Sequence, residues 1–272
     1  MSKRLSDRVA VITGAASGIG EGLAEYAAGL GMRLVLADRD EIRLAALAER
    51  LQNDGCRVLA QPTDVARGAD LDELRDAALE RFGGVDLLFN NAGVMQTGAS
   101  WEISEEQWRR MIDINLLGVV NGIRSFVPLL LEQNRPAHIV NTASLAGLVC
   151  SPFLASYTVT KQAVVALTEG LHYEMAALGA PVSVSVLCPG PVASRIMDSD
   201  QAGAPSAAGF GEQLAATIQQ GMPAVELAAM VFEAIDAKRF WVLPHPSFKP
   251  ALAARQQSVL DETNPVFQLV EV

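Results

Sequence analysis

Two residues spaced one helical turn apart, Tyr157 and Lys161, could carry out proton transfer in this 272-residue chain. Residues four apart on a helix face each other, so the ammonium group of Lys161 can lie beside the phenol of Tyr157. A free tyrosine has a pKa of about 10, and a nearby positive charge favours the phenolate and lowers that pKa. The spacing therefore predicts a tuned acid and base, although taken alone it also fits a surface pair on a helix.

A glycine-rich turn lies near the start of the chain. The apolar run RVAVIT (8–13) leads directly into GAASGIG (14–20) and then into a helical pattern. In this context Gly14 permits a tight bend, Gly18 lets backbone amides approach a pyrophosphate, and Gly20 lets the helix pack close to the strand. The phosphates would lie at the positive end of the helix. The sequence therefore predicts a dinucleotide site.

Asp38 follows the next apolar run, 33–37, and bears on the choice of cofactor. A carboxylate at this place can hydrogen-bond the ribose hydroxyls of an adenosine, and its charge repels a 2′-phosphate. The turn residues 15–17 offer no cation for that phosphate, whereas Arg39 could contact it or stack on adenine. We expect NAD as the cofactor, with NADP less favoured.

Composition excludes several classes of function. Net charge is −10 with no basic block, which argues against a nucleic-acid partner. No uninterrupted apolar run reaches the roughly 18 residues of a membrane helix, and no secretory leader precedes the first strand. We therefore expect a cytoplasmic protein. The cysteines, 56, 150 and 188, and the histidines, 138, 172 and 245, show no metal-ligand spacing, so no metal is predicted and the histidines are interpreted as structural or surface residues.

Strand and helix patterns alternate along the chain, which predicts an α/β fold with a parallel sheet and helices on both faces. Candidate strands are 8–13, 33–37, 57–61, 85–90, 137–142, 182–187 and 240–243. Candidate helices are 18–30, 40–53, 70–82, 105–133, 155–178 and 224–237.

The whole chain, 1–272, is predicted to form one domain for nucleotide binding and catalysis. Gly118, Gly122 and Pro128 predict a bend in the helix 105–133. The Gly- and Pro-containing stretch 190–223 is predicted to be a loop that covers the substrate. Residues 244–272 form a C-terminal extension that is expected to pack on the pocket or on a neighbouring subunit.

The motifs together resemble the short-chain dehydrogenase/reductase family, in particular its branch of about 250 residues. They are TGAASGIG (13–20), NNAG (90–93), the tyrosine–lysine pair with Ser144 and Asn115, and Pro189-Gly190. The resemblance covers residues 5 to about 245 and implies a Rossmann-like, doubly wound sheet of about seven strands. It also implies hydride transfer between a nicotinamide cofactor and a carbon bearing oxygen.

The resemblance implies roles for four catalytic residues. Tyr157 would exchange the substrate proton, Ser144 would hold and polarise the substrate oxygen, and Lys161 would lower the Tyr157 pKa and bind the nicotinamide ribose. Asn115 would fix a water that links Lys161 to solvent. The cofactor-binding residues are expected to be Gly14, Ser17, Gly18, Ile19, Gly20, Asp38, Arg39, Asp64, Val65, Asn91, Ala92, Gly93, Tyr157, Lys161, Pro189, Gly190, Val192 and Ser194. Asp64 could instead be a plain helix cap.

The expected substrate pocket is mostly apolar, which favours a hydrophobic secondary alcohol or its ketone. Its candidate residues are Met95, Leu145, Ala146, Cys150, Phe153, Leu154, Val192 and Met197. Arg195 could hold an acidic group. The alternatives are a 3-ketoacyl-carrier-protein-type reductase and a non-catalytic NAD-binding sensor. The resemblance also implies a homodimer or homotetramer, with the helices 105–133 and 155–178 at the subunit contact.

Overall fold

Seven apolar runs form the strands of one parallel sheet in the computed structural model, which describes residues 5–199 and 204–267. The strands are β1 (Val9–Thr13), β2 (Arg33–Asp38), β3 (Val58–Pro62), β4 (Leu87–Asn90), β5 (Ala137–Thr142), β6 (Val182–Leu187) and β7 (Trp241–Val242). Each predicted strand overlaps an observed one. β1 is buried along its whole length, because helices cover both faces of the sheet.

Helices follow most of the strands and close both layers. They are α1 (Gly18–Gly29), α2 (Glu41–Asn53), α3 (Gly68–Phe82), α4 (Glu105–Ile112), α5 (Gly118–Gln133), α6 (Ala155–Ala177), α7 (Ala208–Gln219), α8 (Ala224–Asp236) and α9 (Lys249–Leu260). Gly31 and Gly55 follow α1 and α2 with φ of 75° and 87°. Glycine adopts this left-handed conformation without a steric penalty, so both residues stop their helices.

The strand order is β3-β2-β1-β4-β5-β6-β7, with parallel pairing throughout. The order reverses between β1 and β4, and this reversal makes a crevice at the carboxyl ends of the strands. The glycine turn follows β1 at this edge, Asp38 ends β2, and Asn90 ends β4. The predicted doubly wound, Rossmann-like fold is confirmed in a single domain.

The predicted long helix 105–133 is interrupted. A π-helical turn, Asp113–Leu117, separates α4 from α5, carries Asn115 and ends just before Gly118, one of the residues that predict a bend. Pro128 lies inside α5. The combined segment Glu105–Gln133 is long and apolar enough to cross a membrane by length and composition alone, with a mean hydropathy of 1.6. Its Phe126 and Leu130 are fully buried in the core beneath the sheet.

The stretch 190–223 differs from the loop predicted for it, because it contains the 12-residue helix α7. Alanines favour helix here, and Phe210 and Leu214 pack α7 against the apolar cluster around Tyr157. Residues 200–203 of the predicted loop and 268–272 of the predicted extension lie outside the described residues. The described part of the extension consists of a 3-10 turn, Pro246–Phe248, then α9 and an irregular segment that reaches residue 267.

Buried amide side chains connect β4, β5 and α6. Asn90 donates to the Asn141 oxygen at 2.8 Å, and Asn141 donates to the Thr168 hydroxyl at 3.1 Å. Gly122 on α5 lies so close that a Cβ atom there would be 2.0 Å from the Asn90 oxygen. The sheet and two helices therefore meet at a contact that only glycine accommodates at position 122.

Candidate active site

A continuous cavity of about 1350 Å³ runs along the carboxyl ends of the strands. The glycine turn and Asp38 line one end, and Ser144, Tyr157 and Lys161 line the other. This location is where open parallel sheets bind their ligands. Cavities for small ligands commonly span ~300–1,000 Å³, so the volume leaves room for a dinucleotide together with a second molecule.

The glycine turn has the geometry that the sequence predicts. Gly14 and Gly18 have φ of 65° and 55°, and a Cβ on Gly20 would lie 2.0 Å from the Gly14 carbonyl oxygen. Gly20 does not line the cavity; it lets α1 begin close behind the turn. Ser17 is the N-cap of α1 without a side-chain hydrogen bond to the helix, so the first amides of α1 remain available to phosphate oxygens.

Asp38 stands beside the turn at the end of β2. Its two carboxylate oxygens accept hydrogen bonds from the backbone N–H groups of Ala16 and Asp40, each at 3.0 Å. These bonds fix the carboxylate, and each oxygen keeps a lone pair for a ribose hydroxyl. Arg39 is exposed and also lines the cavity, and Arg43 lines it while paired with Asp40 at 2.9 Å.

Asp64 and Val65 line the same end of the cavity. The Asp64 carboxylate accepts a hydrogen bond from the N–H of Ala66 at 3.0 Å. Helix α3 begins only at Gly68, with Arg67 as its N-cap. The Asp64 side chain therefore stabilises the turn before α3 and does not cap the helix itself.

Asn91 connects the glycine turn to the strands beside it. Its amide donates to the carbonyl oxygen of Thr13 at 3.1 Å, and its carbonyl oxygen accepts from the Thr142 hydroxyl at 3.2 Å. The Thr13 hydroxyl in turn accepts from the Asn91 backbone N–H at 2.9 Å. Asn91 thus holds the ends of β1, β4 and β5 in place, while Ala92 and Gly93 face the cavity.

The catalytic candidates meet at the other end. Tyr157 on α6 lies beside Ser144, which follows β5, and the Ser144 hydroxyl accepts from the N–H of Ala146 at 3.2 Å. The Lys161 ammonium donates to the carbonyl oxygen of Thr142 at 2.9 Å and lies 5.6 Å from the centre of the Tyr157 ring. The structure therefore brings a phenol, a hydroxyl and an ammonium group to one wall of the cavity.

The predicted lowering of the Tyr157 pKa is wrong for this structure. Burial raises the pKa of Tyr157 to about 12, although the adjacent Ser144 hydroxyl acts in the opposite direction. Burial also lowers the pKa of Lys161 to about 8. Only 5% of Tyr157 and 2% of Lys161 is exposed, so loss of hydration outweighs the attraction between ammonium and phenolate. At neutral pH Tyr157 is a proton donor.

Asn115 lies behind the cavity wall and not in it. Its side-chain oxygen accepts from the Val94 N–H at 2.8 Å, and its amide donates to the Val94 carbonyl at 2.9 Å and to the Thr160 hydroxyl at 3.2 Å. It is fully buried. Asn115 thus ties the segment after β4 to α6, the helix that carries Tyr157.

The segment after β6 closes the cavity from above. Pro189, Gly190, Val192 and Ser194 all line it. A Cβ on Gly18 would lie 2.7 Å from the Ser194 Cβ, so this segment crosses directly over the glycine turn. The Leu145 N–H donates to the Pro189 carbonyl oxygen at 2.9 Å, which joins the segment to the turn that bears Ser144.

The sequence predicts a structural or surface role for His245, and in the structure its ring is hydrogen-bonded to the segment after β6. Its Nδ1 accepts from the Gly190 N–H at 3.0 Å, and its Nε2 lies 3.1 Å from the Pro191 carbonyl oxygen. Since a carbonyl can only accept, Nε2 carries the proton. Burial lowers the pKa of His245, which favours this neutral form. No spacing signal in the sequence links His245 to this segment.

Comparison with known proteins agrees with these observations. The sequence model of the short chain dehydrogenase family matches residues 8–204. The chain belongs to this family. It is 33% identical to a "CLA biosynthesis dehydrogenase/reductase" of Lactiplantibacillus plantarum, with 99% of both chains covered. The chain is therefore an oxidoreductase of the short-chain dehydrogenase family.

Solved structures of the short-chain dehydrogenase family superpose closely. A Burkholderia phymatum short chain dehydrogenase/reductase in complex with NAD gives a TM-score of 0.95 at 41% identity, covering 98% of this chain and 99% of that one. An alcohol dehydrogenase from the archaeon Thermococcus sibiricus, complexed with 5-hydroxy-NADP, gives 0.74 at 30% identity, covering 88% and 96%. Relatives thus bind either type of nicotinamide cofactor.

Most of the substrate-pocket residues predicted from the family resemblance line the cavity, and two do not. The lining ones are Met95, Leu145, Ala146, Cys150, Leu154 and Val192. Phe153 instead packs its ring 5.7 Å from that of Phe210, and Met197 packs beside the apolar cluster around Tyr157. Arg195 lines the cavity but is paired with Asp198 at 2.6 Å.

The sequence prediction missed part of the wall at the substrate end. These residues come from the π-helical turn, α7, the 3-10 turn after β7 and α9, and include Ile114, Phe210, Leu214, Ile218, Phe248 and Ala251. The helical spacing of Phe210, Leu214 and Ile218 was the available signal for α7. The irregular segment 263–267 also lines the cavity.

Proposed function

We propose that this protein is an oxidoreductase that prefers NAD and interconverts a hydrophobic secondary alcohol and its ketone. The observation that carries the proposal is the shared cavity, which joins the glycine turn to the adjacent Tyr157 and Ser144. A bound nicotinamide ring supplies the hydride donor or acceptor. The available α1 amides, the Asp38 carboxylate and the cavity volume fit a dinucleotide.

Tyr157 acts as the general acid in ketone reduction and as the general base in alcohol oxidation. Its protonated state at neutral pH suits donation to a carbonyl oxygen. Ser144 is placed to donate its hydroxyl proton to the same oxygen and so to polarise it. Lys161 supplies positive charge beside Tyr157 and orients the ribose of the nicotinamide. Asn115 acts as a positioning residue, since it holds Val94 and α6 together.

The preference for NAD rests on Asp38. Its fixed carboxylate faces the adenosine end of the cavity, where a 2′-phosphate would meet a like charge. Arg39 and Arg43 line the same end, but Arg43 is already neutralised by Asp40. We therefore expect NADP to be used less efficiently than NAD, even with Arg39 within the lining.

The hydrophobic character of the substrate follows from the walls around Tyr157. Met95, Leu154 and Ile218 pack with Tyr157 in one apolar cluster, and Phe210 and Leu214 pack against it. A buried apolar wall stabilises an apolar ligand by roughly 25 cal/mol per Å² of surface removed from water. A small, strongly hydrated alcohol would gain little from this site.

The proposal is tested by following reduced nicotinamide in the presence of NAD or NADP with a panel of hydrophobic secondary alcohols. Turnover with NAD in the wild type, together with its loss in Tyr157→Phe, is the expected result. Calorimetry with NAD shows whether the variant still binds cofactor. NAD binding without turnover of any alcohol or ketone would contradict the proposal and favour a non-catalytic NAD-binding sensor.

The assembly and location are also part of the proposal. We propose a homodimer or homotetramer in the cytoplasm that pairs through the segment Glu105–Gln133 and α6, because both expose apolar side chains: Leu117 of the π-helical turn is 41% exposed, and Val159 and Tyr173 of α6 are 52% and 66% exposed. Light scattering of the purified protein gives the mass directly. A monomeric mass at micromolar concentration would contradict this assembly.

A further inference from the structure

Helix α9 forms part of the cavity wall with one face. Ala251, Ala254, Arg255 and Ser258 line the cavity, and their spacing of three, four and seven residues places them along one side of a helix. Leu252, in contrast, packs against the core cluster that includes Val165 of α6. Because the same cluster contains Ala143, which directly precedes Ser144, α9 borders the end of the cavity that Ser144 lines.

Arg255 is the charged residue on this face, and it is partly buried. The other cations near the substrate end already have partners. Lys161 donates to the Thr142 carbonyl oxygen, and Arg195 forms an ion pair with Asp198 at 2.6 Å. Within residues 5–199 and 204–267, Arg255 has no side-chain hydrogen bond and no ion pair.

Several apolar residues of the C-terminal extension line the cavity together with Arg255, beside the polar Ser258, Thr263 and Asn264. Phe248 and Ala251 precede Arg255 on the same wall, and Val266 and Phe267 of the irregular segment line the same cavity. A guanidinium group is an always-charged, planar fork of five donors that matches a carboxylate through two parallel hydrogen bonds. Among the described residues this guanidinium has no ionic partner, and it lines the ligand cavity beside apolar side chains, so it is suited to an anionic group brought by the ligand.

We propose that Arg255 binds the carboxylate of the substrate, so that the enzyme acts on hydrophobic hydroxy acids or the corresponding oxo acids. The reacting carbon lies at Tyr157, an apolar chain or ring lies against the cluster with Phe210 and Leu214, and the carboxylate pairs with Arg255. This assignment rests on the proposed function, which it makes more specific. The apolar middle of the cavity and a charged end at α9 match the two parts of such a molecule.

Binding is tested first, without chemistry. Decanoate and decanamide have the same chain and no hydroxyl group, and their affinities for the NAD-loaded protein can be measured by calorimetry. We expect decanoate to bind about tenfold more tightly, as a charge-assisted pair implies. Arg255→Met should remove this preference, Arg255→Lys should keep part of it, and the exposed Arg81→Met on α3 should leave it unchanged.

Turnover is tested second, with (ω−1)-hydroxydecanoate and its methyl ester. The wild type should show a KM about tenfold lower for the acid, and Arg255→Met should equalise the two KM values with little change in kcat. Thermal unfolding verifies that the variants are folded. The variant Arg195→Met serves as the comparison, because Arg195 is the second arginine in this part of the wall.

The outcomes separate the two proposals. Equal binding of decanoate and decanamide to the wild type, or a carboxylate preference that survives in Arg255→Met, would overturn the assignment. Loss of the preference in Arg195→Met and not in Arg255→Met would overturn it too. A decanoate preference that depends on Arg255, in a protein that oxidises no alcohol, would support the anion site while contradicting the proposed oxidoreductase function.

Discussion

His245 holds the Gly190 amide and the neighbouring Pro191 carbonyl with its two ring nitrogens, at 3.0 and 3.1 Å. The imidazole ring lies so close to the backbone that a Cβ on Gly190 would be 3.0 Å from its Cγ atom. A residue from the C-terminal extension therefore fixes the backbone that closes the cofactor end of the cavity. Family motifs mark Gly190, whereas nothing in them marks its partner.

Substitution of His245 should weaken cofactor binding. Removing both hydrogen bonds with His245→Phe leaves the Gly190 N–H without a partner, at a cost of about 1–3 kcal/mol in the free energy of unfolding. We expect a KM for NAD raised about tenfold, measured by steady-state kinetics, and a lower urea midpoint. Asn can retain the acceptor for Gly190, and Gln can retain the donor to Pro191, so both variants should be intermediate.

His172 provides the matched control, since its ring packs against Phe240 and Tyr173 away from the cavity lining. His172→Phe should leave the KM for NAD at the wild-type value. If His245→Phe also kept the wild-type KM while losing stability, the histidine would have a purely structural role.

Tyr157→Phe should abolish proton transfer and leave cofactor binding intact. The substitution removes the hydroxyl that lies beside Ser144 and retains the ring in its apolar cluster. A positioned general acid contributes roughly 10²–10⁴-fold to the rate, and we expect kcat to fall by that amount. Calorimetry should show an unchanged affinity for NAD. Residual turnover above a few per cent would assign the proton to another group.

Alcohol oxidation should accelerate with rising pH. Oxidation needs the deprotonated phenol as base, and the Tyr157 pKa is raised to about 12, so the deprotonated fraction grows throughout the range from neutral pH upward. Ketone reduction needs the protonated form, which predominates over the same range. Initial rates between neutral pH and pH ~10, measured in both directions, check this sign. An oxidation rate that falls with rising pH would contradict it.

Replacement of Asp38 should shift the cofactor preference. Asp38→Asn retains an acceptor for the Ala16 amide and removes the charge that repels a 2′-phosphate, so the ratio of kcat/KM for NADP to that for NAD should rise about tenfold or more. Asp38→Ala should shift the ratio in the same direction with some loss of stability. Asp76→Asn, on the exposed surface of α3, is the control. An unchanged ratio in both Asp38 variants would place the selectivity elsewhere.

Two helical glycines should respond oppositely to alanine. At Gly122 a Cβ would lie 2.0 Å from the Asn90 oxygen, whereas at Gly170 nothing lies within 4 Å. Gly122→Ala should therefore lower the free energy of unfolding by about 1–3 kcal/mol, and Gly170→Ala should raise it by roughly 0.5–1 kcal/mol. Urea unfolding measures both. Equal effects would show that the contact with Asn90 relaxes freely.

Sequence patterns predicted the strands and the chain's local chemistry well, because these depend on periodicity and on motifs of short range. The glycine turn, Asp38 and the tyrosine–lysine pair lie within single strand–turn–helix units. A short motif does not reveal how deeply a side chain is buried. The Tyr157 pKa is raised and not lowered as predicted, because the folded chain removes water from the phenol. The partners of His245 and the position of Arg255 likewise depend on contacts between distant segments.

The position along the chain of the residues that line the substrate end bears on how ligand preference can evolve. The family match ends at residue 204, while α7, α9 and the irregular segment that line the substrate end lie beyond it. Residues after 204 therefore supply part of the substrate-end wall, and residues within the family match, such as Met95, Cys150 and Leu154, supply the rest. A graft of residues 205–267 onto a related scaffold would replace that part of the wall without altering the proton-transfer residues, so ligand preference can change through the C-terminal quarter of the chain.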